Sequence, residues 1–125
     1  MSNIQINNLL KKVKKRKAII LEEGSAKLFI DGKLLVEELN LEEDVLSCMI
    51  DSKIAITALI DFVGNDFFLV PRNQKIMNAI LSIYAYSAPP NITYIAMELK
   101  NTGTFDEIGG QSFLIHLVNN KIDQN

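Results

Sequence analysis

Six basic side chains occupy the seven positions from 11 to 17: Lys11, Lys12, Lys14, Lys15, Arg16 and Lys17. A cluster of this kind neutralises phosphate groups, and such binding weakens steeply as salt rises. No aromatic side chain lies among the lysines to stack on a base. The chemistry on offer is therefore nonspecific contact with a phosphate backbone. The alternative is a solvated N-terminal arm whose lysines meet only water. No acidic residue precedes Glu22, so residues 18–125 hold the other 7 basic residues against all 15 acidic ones, a net −8 within a chain of net −2. That acidic body disfavours a second nucleic-acid surface and suits a basic protein partner better.

Residue types that perform catalysis are scarce. Glu42, Glu43 and Asp44 are expected at the start of a helix, where carboxylates complement the positive end of the dipole. An acid–base or metal role would require convergent partners, and none is apparent. His116 is the single histidine and reads as a satisfied or surface side chain. Cys48 is the single cysteine, which excludes an internal disulfide and, with one histidine, a zinc ligand set. It sits among Leu46, Met49 and Ile50, so a buried thiol is expected. Gly24 and Gly32-Lys33 lack the spacing of a phosphate loop, and Gly109-Gly110 lacks a following lysine and reads as a tight turn. Asn91-Ile92-Thr93 fits a glycosylation sequon, but nothing else points to secretion. With no nucleophile–base pair for a hydrolase, the expectation is no catalytic, cofactor or metal residue. A binding or assembly module is favoured over an enzyme.

The elements that position these groups follow from periodicity. Leu9, Leu10 and Val13 form a short apolar stripe compatible with a helix over about residues 4–20, broken by Gly24-Ser25. Asp31-Gly32 between the apolar runs of residues 27–36 allows the positive φ angles of a type I′ hairpin turn. Leu41, Val45, Leu46, Met49 and Ile50 mark one helix face. Ser52 is expected to cap a second helix carrying Ile54, Ile56, Leu59, Ile60 and Val63, ended by Gly64-Asn65. Phe67 and Phe68 should anchor the core. Pro71 suits the first turn of a helix lined by Ile76, Met77, Ile80, Leu81 and Tyr84. Asn91 caps a helix bearing Ile95 and Leu99, with Lys100 in its last turn and Gly103 at its C′ position. After Gly109-Gly110, a final helix carries Phe113, Leu114, Leu117 and Val118.

The predicted fold is an all-α, compact orthogonal bundle of five to six short helices, with a small β-hairpin or irregular segment near 27–36. Its expected divisions are a basic N-terminal arm, partly ordered, at residues 1–35, a helical domain at 36–120 and a tail at 121–125. At 125 residues and 48% apolar, the chain has room for one core and no separate motor domain. No apolar run is long enough to span a bilayer and no leader pattern opens the chain, so a reduced, cytoplasmic setting is expected.

The order of several blocks is more specific. Leu41-Glu42-Glu43-Asp44-Val45-Leu46 with Met49-Ile50 resembles E-x-x-V-L-G-x-x-L, Asp66-Phe67-Phe68 resembles D/S-F-Y, and residues 73–80 resemble H-Q-x-I-F-x-A-I. Pro89, Asn91, Leu99 and Gly103 fall on P-x-D-x-x-T-x-x-x-x-L-x-x-x-G. Phe105, Ile108-Gly109-Gly110, Phe113-Leu114 and Leu117 continue as L-x-x-V-G-G-x-x-Y-L-x-x-L. From Leu39 to Asn120 the sequence thus resembles the N-terminal domain of DnaB-type replicative DNA helicases. It departs from the pattern where Ser47 stands for Gly, Asn73 for His, Met77 for Phe and Tyr94 for Thr. The opening helix is one residue short and residues 69–71 one residue long, as in a divergent member. Residues 1–31 have no counterpart.

The resemblance implies a globular head that packs against other such domains and contacts primase or a helicase loader. In the family a helical hairpin, a linker and a RecA-like ATPase follow this head. They are not expected in a chain ending at Asn125, so ATP, magnesium and unwinding would belong elsewhere. The expected protein interface is Tyr94, Met97, Phe113 and Ile115, apolar groups in excess of what one short-helix core needs, the alternative being that they pack in the core. The expected phosphate contacts are the six basic residues from Lys11 to Lys17. Two other readings are a small accessory DNA-binding protein using the basic arm, and a primase-side helicase-interaction domain. The Gly109-Gly110 block favours the helicase side.

Overall fold

The computed structural model describes residues 3–64 and 66–123. The described chain runs α1 (Asn3–Glu23), a 3₁₀ turn (Ser25–Leu28), β1 (Phe29–Ile30), β2 (Lys33–Leu34), α2 (Val36–Met49), α3 (Lys53–Leu59), α4 (Pro71–Ala85), α5 (Ile92–Asn101) and α6 (Gly110–Asp123). This is the expected short-helix bundle, with a two-stranded antiparallel hairpin pairing Phe29 with Leu34 and Ile30 with Lys33. Asp31 and Gly32 both take positive φ, 53° and 78°, as a primed turn requires.

Local chemistry sets most boundaries. Ser52 Oγ accepts the Ala55 N–H at 3.1 Å and caps α3, while Asn91 Oδ1 accepts the Tyr94 N–H at 3.0 Å and caps α5. Pro71 opens α4, and Gly103, at φ 75°, follows the C-cap of α5. Two expectations change. α3 ends at Leu59, short of Gly64, and the chain continues in turns whose Phe62 and Val63 N–H groups both return to the Leu59 carbonyl. Only one side of α3 is then core-facing: Ile56 and Leu59 are buried and Ile54 is exposed.

The other change is at the N-terminus. The helix expected over about residues 4–20 runs from Asn3 to Glu23 and is docked on the body, because its apolar stripe includes Ile6 as well as Leu9 and Val13. Ile6, Leu9 and Val13 join the same core as Leu46, Ile56, Phe68, Ile80 and Leu114. The division at residue 35 therefore marks no break in packing. At the other end, α6 extends into the expected tail as far as Asp123, and residues 124 and 125 lie outside the described ones.

α2 lies along α6, and α4 along α5. Ser47, the residue standing where the helicase pattern has glycine, is fully buried and donates its hydroxyl to the Leu117 carbonyl at 2.8 Å. A small side chain keeps α2 and α6 close while its hydroxyl is satisfied.

Candidate functional site

The basic cluster separates into two parts once α1 is placed. With 3.6 residues per turn, Ile6, Leu9, Val13 and position 16 fall on one stripe, and all four are buried. Arg16 is thus a core residue at 1% exposure and is withdrawn from the phosphate contacts expected of the cluster. Its Nη1 donates to Glu42 Oε2 at 2.7 Å and to the Phe67 carbonyl at 2.9 Å. Its Nη2 donates to the Glu38 carbonyl at 2.9 Å, and its Nε to Glu38 Oε1 at 3.2 Å. The guanidinium also lies 4.7 Å from the Phe67 ring centroid. Lys11, Lys12, Lys14, Lys15 and Lys17 stay exposed.

Glu42 completes the arrangement. It was expected near a helix start, but α2 begins at Val36 and Glu42 projects from its middle into the core. Besides Arg16, its carboxylate accepts the backbone N–H of Leu69 at 2.9 Å and of Val70 at 3.3 Å, and the Asn73 amide at 2.9 Å. An ionised carboxylate accepts without donating, so every contact is a donor pointing at it. The anion therefore organises the chain entering α4, while the cation from α1 balances its charge.

The neighbouring acids also bridge elements. Glu43 Oε1 lies 2.7 Å from His116 Nε2 on α6. Asp44 Oδ1 accepts the Asn120 amide at 2.9 Å. Three successive carboxylates of α2 therefore hold α4 and α6. Cys48 is buried and forms no disulfide. Among the described residues no group of three or more His, Cys, Asp or Glu side chains could hold a metal ion. Among the same residues, no helix is long and apolar enough to cross a membrane.

The expected apolar interface also divides. Tyr94 and Met97, three positions apart, share the outward side of α5, at 42% and 53% exposure, opposite buried Ile95 and Leu99. Ile115 faces outward from the neighbouring α6 at 46% exposure, opposite buried Leu117. Phe113 does not join them. It is buried, its ring lies 4.1 Å from the Arg72 guanidinium carbon, and His116 stacks on it at 5.5 Å between centroids. A helix-spacing count cannot separate Phe113 from Ile115 without knowing which side of α6 faces α2.

Sequence reasoning missed the Arg16–Glu42 pair. The signal was present in the spacing of Ile6, Leu9, Val13 and Arg16. A charge that continues an apolar stripe needs a buried counter-charge.

Comparison with known proteins places this geometry. Residues 35–125 match the sequence model described as the DnaB-like helicase N terminal domain. A replicative DNA helicase DnaB of Mycobacterium leprae is 31% identical over 87 residues, covering 70% of this chain and 14% of that protein. The replicative DNA helicase DnaB of Leifsonia xyli is 29% identical over 77 residues, covering 62% of this chain and 17% of that one. The chain thus spans less than a fifth of the length of these relatives. Among solved structures, the N-terminal domain of DnaB helicase from Mycobacterium tuberculosis superposes with a TM-score of 0.64 at 32% identity, covering 66% of this chain and 57% of that one.

Proposed function

This chain belongs to the DnaB-like helicase N-terminal domain family, and from that premise we propose that it serves DNA replication as a non-catalytic docking domain. In this reading it self-associates with other helicase N-terminal domains and engages primase or a helicase loader. ATP hydrolysis and strand separation are the work of a motor outside the matched segment.

One observation carries the reading: Tyr94, Met97 and Ile115 stand in solvent on α5 and α6 although buried apolar residues already fill the inward sides of both helices. Large apolar groups at helical spacing, on two helices in contact, suit a helix-face partner. Packing Met97 against such a partner would remove apolar area from water, which is the main drive of association.

The test is hydrodynamic. Light scattering after size exclusion, run on the chain alone and mixed with primase or loader, should detect an assembly. Met97→Glu and Ile115→Glu should abolish it with circular dichroism unchanged. Association that survives both substitutions would place the docking face elsewhere.

A further inference from the structure

The outward side of α1 carries a second surface that the docking role does not use. Lys11 lies opposite the buried stripe of Ile6, Leu9, Val13 and Arg16, Lys14 and Lys15 stand on either side of it, and Lys12 and Lys15 border the groove toward α2. Neither Lys11, Lys12, Lys14, Lys15 nor Lys17 makes a salt bridge among the described residues. Lys14 Nζ rests 5.0 Å from the centroid of the Phe62 ring, where its charge remains available. Glu37 and Glu38 line the groove beside Lys12 and Lys15 on the α2 side. Arg16 already holds Glu38.

We infer that this lysine face of α1 binds the sugar–phosphate backbone of nucleic acid without regard to sequence. The placement of Arg16 is what makes the face rigid. Its bonds to Glu42, the Phe67 carbonyl and the Glu38 carbonyl fix the helix to the body, so the lysines project from a docked scaffold. Lys11 and Lys15 are separated by an axial rise of about 6 Å. Two phosphate steps of one strand rise about 7 Å along the duplex axis, so the two lysines match that spacing when α1 lies along the duplex. Lysine supplies compact point charges and not the planar fork that reads base edges. With Arg16 buried and no aromatic ring among these lysines, neither base readout nor stacking is on offer. An acidic protein is the weaker fit, because α1 presents no acid of its own between Asn3 and Leu21 to fix a register by mixed charge.

This site lies outside the segment that matches the helicase family, so it stands or falls separately from the docking role. The test is fluorescence anisotropy with a labelled mixed-sequence 20-base-pair duplex and a labelled 20-nucleotide single strand, using the full chain. If about four phosphates are neutralised, affinity for the duplex should fall by about 100-fold between 50 and 200 mM salt. Lys11→Ala with Lys15→Ala should lower the slope of log affinity against log salt by about 2. Lys33→Ala, on the hairpin, should leave it unchanged. Two duplexes of different sequence should bind alike. The proposal is overturned by no anisotropy change at 50 mM salt. It is equally overturned by a slope that the double substitution does not alter, or by loss of self-association in that variant with nucleic-acid binding intact, which would mark the face as a protein contact.

Discussion

Arg16 Nη1 and Glu42 Oε2 meet at 2.7 Å across 26 positions of sequence, with both side chains fully withdrawn from water. Their union joins a helix outside the helicase-family match to the element that organises the entry to α4 inside it. A buried pair is weak evidence of net stabilisation, but breaking one is costly because the surviving charge has no water to turn to.

Glu42→Ala should therefore destabilise the fold by about 3–5 kcal/mol, since it takes the fully buried counter-charge from Arg16 and the acceptor from two backbone N–H groups and an amide. Glu38→Ala should cost only about 1 kcal/mol, because its carboxylate is partly exposed and its backbone carbonyl still accepts from Arg16. Urea denaturation of the two variants measures the difference. Equal losses would contradict the role assigned to Glu42.

The two sides of α1 should respond oppositely to truncation. Leu9→Ala removes a core side chain and should cost about 2–5 kcal/mol. Lys11→Ala should change stability by no more than about 0.5 kcal/mol. Similar, negligible effects from both would mean that the helix is not docked in solution.

What the sequence made legible was local. Ser52, Asn91, Asp31-Gly32 and Gly103 each act on backbone groups within a few residues, so residue type and position suffice to read them. Glu42 was illegible for the opposite reason: its partners lie on α1, on the chain before α4 and on α4 itself. Reading the helical spacing as beginning at Leu39, when α2 starts at Val36, also moved the three acids to the wrong part of the helix. The exposed apolar residues of α5 and α6 were half legible. Spacing identified α5 and α6 as carrying surplus apolar groups, but only the packing of α6 against α2 put Phe113 inside and Ile115 outside.

Helix caps offer a finer check. Asn91→Ala should cost about 1 kcal/mol by orphaning the Tyr94 N–H, whereas Asn91→Gly should cost only a few tenths. Ser52→Ala should behave as Asn91→Ala does, through the Ala55 N–H. Thermal unfolding resolves these differences, and an Asn91→Gly variant as unstable as Asn91→Ala would argue against the cap.

Gly109 and Gly103 should differ in what they tolerate. Both have positive φ, but a Cβ on Gly109 would sit 3.0 Å from the Cβ of Phe113, whereas one on Gly103 would meet open space. Gly103→Ala should cost about 1–2 kcal/mol from backbone strain alone. Gly109→Ala should cost clearly more, because it also displaces the ring held between Arg72 and His116. Denaturant midpoints for the pair provide the comparison.

The most direct test of the docking role is molar mass by light scattering across a concentration series, for the wild-type chain and for Met97→Glu, alone, with primase and with a helicase loader. The wild type should form an assembly with itself, with primase or with the loader, and Met97→Glu should remain a monomer with an unchanged melting temperature. A wild-type chain that stays monomeric at every concentration and ignores both primase and loader would contradict the account.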